Sequence, residues 1–267
     1  MASFSVCMKA PNGRKAQYFD SGDWLSINID DWIASHVVGK SNYIVYNDEK
    51  PPPGTMNGAG GHCKGIVTWD TESIQWLVHS VPKWPASLAP ISPIPEGETE
   101  YGQSFAHIKM DYSDENIANI AKQIVIMQAH VYMINGIVLP LPAKNSLCNV
   151  IPVSPCIHHV AKHSKWGKDI FEDCIAQVYG GKKCITETWS RPGQPATVNV
   201  ARAVRVKWPC GTTYNMEQDH SKICLAAKPW VYVGDINAMT SQFHRGGGGF
   251  MIGDDGIWEA MSRIIFL

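Results

Sequence analysis

One arrangement of residues occurs in both halves of this chain, and it limits the folds that the chain can adopt. In each copy a His-x-Lys motif precedes a short apolar run, a turn, and a second apolar run that begins with tryptophan. The first copy spans residues 62–80 and the second spans residues 220–237. Repeated units of this kind often meet across a pseudo-twofold axis. We therefore predict one domain, residues 1–267, made of two similar halves, residues 1–140 and 141–267.

Short apolar runs broken by Gly, Pro and Asn dominate the chain and predict strands. The clearest runs are residues 43–46, 66–69, 76–78, 198–206 and 230–233. Helices are predicted at residues 114–129, 170–179 and 257–266. This mixture predicts an α/β (mixed α+β) fold, in which each half has a central mixed sheet flanked by helices. The active site is expected at the interface between the halves.

The His-x-Lys motif brings two functional groups together, because residues i and i+2 of a strand point to the same face. His62 and Lys64 therefore project together, as do His220 and Lys222. Two facing imidazoles can divide phosphodiester cleavage, one attacking phosphorus and the other protonating the leaving oxygen. Two lysines can neutralise the non-bridging oxygens in the transition state. This layout predicts catalysis without a metal or another cofactor.

Three further residues near the motifs are predicted to support the site. Asp70 and Asp235 are expected to orient an imidazole or to fix its tautomer. His79 lies one strand after His62, where it either lines the site or forms a local hydrogen bond.

His-x-Lys occurs four times in the chain, so the motif alone does not identify a site. His107-x-Lys109 lacks the downstream strand that begins with tryptophan. His163-x-Lys165 leads into a helical segment and is more consistent with a basic surface. The chemistry is therefore assigned to the other two copies.

The charge of the chain predicts a preference for acid conditions. The formal net charge is −1 with neutral histidines, whereas general nucleic-acid binders carry a basic excess. An unperturbed histidine has a pKa near 6.5. Charging all ten histidines near pH 5 would move the net charge toward +9, which would favour binding to a polyanion.

The cysteines and the termini bear on compartment and partners. None of the eight cysteines forms a CxxC pair, which disfavours a structural zinc site. No apolar leader follows Met1, no Asn-x-Ser/Thr sequon occurs, and no apolar run approaches membrane-span length. We expect no signal peptide and no membrane partner. The sequence does not determine the oligomeric state and leaves a homodimer open.

Several stretches, in consistent order along nearly the whole chain, resemble the deoxyribonuclease II family. They are GHCKG (61–65), WLVHSVP (76–82), YGQ (101–103), DHSK (219–222), GDIN (234–237), TSQ (240–242) and RGGG (245–248), with weaker likeness at 46–48 and 164–169. The resemblance implies a phospholipase D-like fold and metal-independent endonucleolysis of DNA at acid pH. It also implies 3′-phosphate and 5′-hydroxyl ends and a lysosomal or secreted setting.

The resemblance adds further residues to the predicted site. Asn237 matches a position that supports lysine and phosphate. Gln103, Lys165, Gln242 and Arg245 are expected to contact DNA, although the run 245–249 is equally consistent with a plain turn.

We expect a covalent phosphohistidine intermediate with His62 as nucleophile and His220 as general acid, although the near-symmetry of the motifs allows the reverse. Two other functions stay open at this point. A phospholipase D-like phosphodiesterase acting on lipid headgroups is disfavoured, because no amphipathic or membrane-seeking segment is visible. A non-catalytic DNA-binding homologue is disfavoured by the intact pairs of histidines and lysines.

Overall fold

Two large sheets form the body of the protein. The computed structural model describes residues 2–37, 39–55, 58, 60–142, 147–180, 183–189, 197–208 and 212–266. The strands of the first sheet are β1 (Ser3–Lys9), β2 (Lys15–Asp20), β3 (Asp23–Asn28), β4 (Asn42–Asn47), β5 (Lys64–Trp69), β6 (Ser73–His79), β7 (Gln103–Asp111) and β8 (Val131–Asn135). They are ordered β3-β2-β1-β7-β6-β5-β4-β8.

The second sheet comes from the second half of the chain. Its strands are β9 (Cys148–Ser154), β10 (Ile157–Lys162), β11 (Cys184–Thr188), β12 (Val200–Arg202), β15 (Lys222–Leu225), β16 (Trp230–Gly234) and β17 (Gly247–Gly253). They are ordered β12-β11-β15-β16-β17-β10-β9. A small third sheet joins β13 (Arg205–Lys207), β14 (Thr213–Asn215) and β18 (Ile265–Phe266).

The two large sheets repeat the same order of strands around the two motifs. β5 and β15 each begin with the lysine of a motif. Each pairs with the strand that carries the tryptophan of its copy, which is β6 for β5 and β16 for β15. β7 and β17 follow on that side, and β4 and β11 occupy the other side. Strand pairing is antiparallel except between β11 and β12. The predicted mixed α/β fold is confirmed.

The core lies between the two sheets. Trp76 of β6 stacks on His159 of β10 with ring centroids 4.1 Å apart, and Phe250 of β17 meets both rings edge-on. All three side chains are fully buried. The Trp76 indole N–H also donates to the hydroxyl of Tyr46 at 3.0 Å. One apolar core thus spans both halves, and each half also has a smaller apolar cluster of its own, around Trp32 in the first half and around Phe171 in the second.

Within the described ranges, four α-helices cover the sheets: α1 (Ile29–His36), α2 (Asp114–Ile126), α3 (Ala176–Tyr179), which continues a π-helical turn at Phe171–Ile175, and α4 (Asp255–Ser262). α2 begins at Ser113, whose hydroxyl accepts the Asn116 N–H at 3.1 Å. α2 of the first half packs on β9 and β10 of the second, and α4 packs on β3 of the first. This exchange of helices interlocks the halves.

The predicted elements differ from the structure at several boundaries. α2 ends at Ile126, and α4 begins at Asp255, where Asp254 caps it by accepting the Ile257 N–H at 2.9 Å. The chain leaves α4 after Ser262 because residues 265–266 pair with β13. The run 198–206 is not one strand but contributes to two short ones, β12 and β13. α1 was not predicted.

Two other sequence expectations concern thiols and membranes. Seven cysteines are free thiols in the structure, and Cys210 lies outside the described residues. Across the described ranges, no helix is long and apolar enough to cross a bilayer.

Candidate active site

The two His-x-Lys motifs are held in place by the opposite halves of the protein. The backbone N–H of His62 donates to the carbonyl of Gly246 at 2.8 Å, and that of His220 donates to the carbonyl of Gly102 at 2.8 Å. Gly246 lies before β17 of the second half, and Gly102 lies before β7 of the first. Each motif therefore sits at the junction of the halves.

Both acceptors are glycines because the chains approach too closely for a side chain. A Cβ on Gly102 would lie 2.5 Å from Oδ1 of Asp219, and one on Gly246 would lie 2.0 Å from the carbonyl oxygen of Met127. A larger residue at either position would push the carbonyl of Gly102 or Gly246 away from the histidine N–H that it accepts.

A second pair of hydrogen bonds fixes the backbone of the two lysines. The Lys64 N–H donates to Oδ2 of Asp235 at 3.3 Å, and the Lys222 N–H donates to Oγ of Ser104 at 3.2 Å. Asp235 also accepts the Gly248 N–H at 3.0 Å. Burial raises the pKa of Asp235 to about 8, against the opposing effect of Gly248 and Lys64. The bonds of the two lysines again run from one half to the other. The Asp235 carboxylate, predicted to orient an imidazole, contacts the N–H groups of Lys64 and Gly248, and the backbone carbonyl of Asp235 is what meets the His62 ring.

The lysine side chains are buried beside the imidazoles. Lys64 is 2% exposed and Lys222 is 3% exposed, whereas the two histidines are half-buried. The Lys222 ammonium donates to the carbonyl of His220. Burial, and then the positive charge of Lys64, lowers the pKa of Lys222 to about 7. The two lysines are thus close enough to affect each other, which concentrates positive charge at this point.

His62 is held as one tautomer. Its Nδ1 lies 2.6 Å from the backbone carbonyl of Asp235. A carbonyl only accepts, so Nδ1 carries the proton and the lone pair is on Nε2. Burial, together with Lys64 and Lys222, lowers the pKa of His62 to about 3. The ring is therefore neutral at pH 5 and has the lone pair that a nucleophile requires.

His220 has different surroundings. Its ring stacks on Tyr101 at 4.1 Å with an interplanar angle of 8°, and the edge of Trp189 approaches it at 5.8 Å. Nδ1 lies 4.0 Å from Oε2 of Glu98. Burial raises the pKa of the Glu98 carboxyl, and burial with the nearby lysines lowers the pKa of His220 to about 2.

Sequence reasoning did not single out the individual residues around His220. Tyr101 lay within a stretch of family resemblance but was given no role. No sequence pattern pointed to Glu98 or Trp189. Glu98 lies far from His220 in the chain, and Trp189 follows a strand, β11, that carries no motif.

Asp48, rather than Asp70, is the carboxylate at the first motif. Its Oδ1 lies 2.5 Å from the Lys64 ammonium and its Oδ2 lies 3.3 Å from the Arg245 guanidinium. Asp48 is 1% exposed. Burial opposes its ionisation, but Lys64, His62 and Arg245 outweigh this effect and hold the pKa of Asp48 below its usual range. The sequence stretch 46–48 gave only a weak resemblance.

The predicted role of Asp70 is wrong. Asp70 follows the far end of β5, about 20 Å from Lys64 at the usual rise of a strand. There it accepts the N–H groups of Glu72 and Ser73, both at 2.9 Å, and pairs with Lys40 at 2.7 Å. It organises the turn between β5 and β6 and touches no imidazole.

His79 and Asn237 are both buried. His79 extends the pairing of β5 with β6 and so lies across from Lys64. It is fully buried, its Nδ1 accepts the Val81 N–H at 3.2 Å, and its ring meets Trp84 edge-on at 4.8 Å. The local hydrogen bond is thus what the structure shows. Asn237 is 4% exposed, two residues after Asp235.

The four residues expected to contact DNA have different surroundings. Gln103 is fully buried and accepts the Ser80 hydroxyl at 2.5 Å, so the prediction that it contacts DNA is wrong for this conformation. Gln242 and Arg245 are half-buried, and Lys165 is exposed in a short turn. Arg245 donates to the carbonyls of Gly60 and Gly61, both at 3.1 Å.

The argument from total histidine charge is also wrong. Nine of the ten histidines have a lowered pKa, with burial as the largest cause in each. The pKa values of His62, His107 and His159 fall to about 3. The net charge therefore stays well short of +9 at pH 5.

The buried Asp48 contact predicts a loss of stability on neutralisation. We expect Asp48→Asn to lower the free energy of unfolding at pH 7 by about 3 kcal/mol, because it leaves buried cations without their partner. Since the pKa of Asp48 is depressed on folding, this difference should shrink as the pH falls below about 4. Urea denaturation measures both effects.

The matched control is Asp70→Asn, which removes an ion pair whose carboxylate is exposed and should cost less than about 1 kcal/mol. Equal losses for the two variants would contradict the assignment of Asp48 to the site.

Comparison with known proteins identifies the family of the chain. The family model for deoxyribonuclease II matches residues 28–151 and 154–266. Plancitoxin-1 of Acanthaster planci is 28% identical, over 90% of this chain and 74% of that protein. Deoxyribonuclease-2-alpha of Rattus norvegicus is 28% identical over 84% and 71%, and cell death-related nuclease 6 of Caenorhabditis elegans is 27% identical over 83% and 67%. The chain therefore belongs to the deoxyribonuclease II family of hydrolases and has its phospholipase D-like fold.

Proposed function

We propose that this protein is an endonuclease that hydrolyses DNA phosphodiesters at acid pH without a metal ion, through a phosphohistidine intermediate. The observation that carries the proposal is the reciprocal mounting of the two motifs. Each half supplies one imidazole and one buried lysine and holds the backbone of the other half's histidine. Two proton-transferring groups and two cations at one junction match the needs of phosphodiester cleavage.

The first step transfers the phosphoryl group to the enzyme. Nε2 of His62 attacks phosphorus, the bond to the 5′-oxygen breaks, and that oxygen takes a proton from His220. Lys64 and Lys222 neutralise the non-bridging oxygens. The DNA is now bound to His62 through its 3′-phosphoryl group, and the other product leaves with a 5′-hydroxyl.

The second step releases the DNA. Water attacks phosphorus, His220 accepts the proton of the water, and the bond between phosphorus and His62 breaks. The product carries a 3′-phosphate, and both imidazoles regain their starting protonation state. No electron transfer occurs in either step.

The different surroundings of the histidines support the assignment of their roles. His62 donates its Nδ1 proton to a backbone carbonyl, which directs the Nε2 lone pair to the substrate. His220 has a carboxyl group 4.0 Å from Nδ1, and a carboxylate there stabilises the protonated ring. In the reverse assignment His62 would be the protonated ring. Its Nδ1 contacts a backbone carbonyl, which carries no full negative charge to stabilise that proton.

A preference for acid follows from the low pKa of His220. Burial, and then the charges of Lys222 and Lys64, keep this ring neutral before substrate binds, yet the proposed acid must carry a proton. A bound phosphate supplies the negative charge that favours protonation. Proton uptake on substrate binding thus replaces the total histidine charge as the reason for the acid preference.

This argument predicts the shape of the pH profile. Because burial and the nearby lysines lower the pKa of His220 to about 2, we expect kcat/KM to fall about tenfold for each pH unit between pH 5 and 7. Above pH 7 the fall should steepen, since Lys222 with a pKa of about 7 also loses its proton. Initial rates on a short duplex give the profile. A maximum at or above pH 7 would contradict the proposal.

The activity itself is tested by nicking of supercoiled plasmid at pH 5 with excess EDTA. Wild-type protein should nick the plasmid, and His62→Ala, His220→Ala and Lys64→Ala should each lose at least about 10³-fold in rate. Lys109→Ala is the matched control, because Lys109 is exposed and belongs to a His-x-Lys copy outside the site. It should retain wild-type activity.

Three results would reject parts of the proposal. Nicking that requires added Mg²⁺ would reject the metal-free mechanism. Binding of DNA at pH 5 without nicking would support a non-catalytic homologue. Hydrolysis of phosphatidylcholine in place of DNA would support a lipid phosphodiesterase.

The roles of the two histidines can be separated with a DNA whose scissile 5′-oxygen is replaced by sulfur. A thiolate leaves without protonation, so His220→Ala should form the covalent intermediate on this substrate at nearly the wild-type rate. His62→Ala should not react. Alkaline quenching and peptide mapping locate the phosphoryl group, and its appearance on His220 would reverse the assignment.

A further inference from the structure

A buried lysine that takes no part in the proposed chemistry ends β1. Lys9 is fully buried. Its ammonium donates to the carbonyls of Ala10 at 2.7 Å, Gly13 at 2.9 Å and Thr99 at 2.8 Å. Two of these carbonyls lie in the turn between β1 and β2, and Thr99 lies in the loop that leads to Gly102 and β7. Lys9 therefore ties that loop to the end of β1.

A second lysine does the same in the other half. Lys162, the last residue of β10, is 1% exposed. Its ammonium donates to the carbonyls of Lys168 at 3.1 Å, Gln242 at 2.9 Å and Phe243 at 2.9 Å. The last two lie in the loop that leads to Gly246 and β17.

The two lysines occupy equivalent places in the two sheets. Lys9 pairs with Gln103, the residue after Gly102. Lys162 pairs with Gly247, the residue after Gly246. Each lysine thus stands beside the point where its own half presents a glycine carbonyl to the histidine of the other half.

We propose that Lys9 and Lys162 are positioning residues that act across the molecule, Lys9 on His220 through the loop 99–102 and Lys162 on His62 through the loop 242–246. This inference rests on the proposed function only for its effect on rate. Its geometric part concerns the two imidazoles themselves.

The chemistry of the lysine explains why this residue type occupies both places. An ammonium group has three N–H donors and no acceptor, and each lysine meets three backbone carbonyls. Burial lowers the pKa of both lysines to about 8, so both keep three donors at pH 5. A methionine of similar length supplies none, which leaves the Thr99 carbonyl with the Gly13 N–H and the Gln242 carbonyl with the Arg245 N–H, both at 3.1 Å, and so loosens both loops.

The expected effect on activity is a change in turnover rather than in binding. A small misplacement of a reacting group lowers the rate by about 10- to 100-fold without removing any contact to substrate. We therefore expect Lys9→Met and Lys162→Met each to lower kcat at least about 10-fold, with KM for a short duplex changed less than about 2-fold.

The decisive measurement is NMR of protein labelled with ¹⁵N in histidine, with the ring signals assigned from His62→Gln and His220→Gln. Lys9→Met should shift the ring signals of His220 and leave those of His62 in place. Lys162→Met should give the opposite pattern. Lys40→Met is the matched control, because Lys40 is a mostly buried lysine that donates to Ser73 and pairs with Asp70, far from both histidines. It should move neither set of signals.

Other outcomes would overturn the inference. Loss of thermal stability with unchanged kcat and unchanged ring signals would show a purely structural role, and equal shifts of both histidines would reject the crossed action. If Lys9→Met does not fold, Lys9→Arg keeps the cation but moves its donors, and the same crossed pattern is expected. A wild-type protein that never nicks DNA would reject the proposed function, while the crossed NMR pattern would still decide this inference.

Discussion

Two backbone hydrogen bonds join the halves of the protein at its centre, from His62 to Gly246 and from His220 to Gly102. Each fixes one candidate catalytic residue with a group from the opposite half, so neither motif is complete in its own half. The shared apolar core and the exchanged helices α2 and α4 hold the sheets at the spacing that these bonds require. Glycine at both acceptor positions lets the chains approach closely enough, since a Cβ would meet Asp219 or Met127.

Burial controls the charge of this junction. Lys64 and Lys222 keep their ammonium groups beside the imidazoles, where little water weakens their field. The same field, together with burial, keeps His62 and His220 neutral in the empty protein. An incoming phosphate neutralises that field and changes the balance toward protonation of one ring. In the proposed mechanism the site therefore couples binding of an anion to uptake of a proton.

The sequence predicted the parts of this site that depend on spacing within one segment. The His-x-Lys spacing predicted that each histidine and its lysine share one strand face, but His62 and His220 lie just before the strands that Lys64 and Lys222 begin. The repeat indicated two similar halves. Contacts between distant segments were not predictable in the same way. Asp48 reaches Lys64 because β4 and β5 pair with Asn47 opposite Lys64, and only the register of that pair selects Asp48 over Asp70. The net charge expected from the ten histidines near pH 5 was too high, because a count of titratable residues carries no information about their burial.

The duplicated scaffold also shows how two equivalent histidines come to differ. Asp48 follows β4 next to Lys64, and the equivalent residue after β11, next to Lys222, is Trp189. Arg245 precedes Gly246, and the equivalent residue before Gly102 is Tyr101. The first motif is therefore bordered by an ionic pair, Asp48 with Arg245, and the second by two aromatic rings around His220. A nucleophile and a general acid need opposite protonation states. A symmetric pair of imidazoles would share one environment, so divergence at these two equivalent positions is what allows a repeated fold to divide the chemistry.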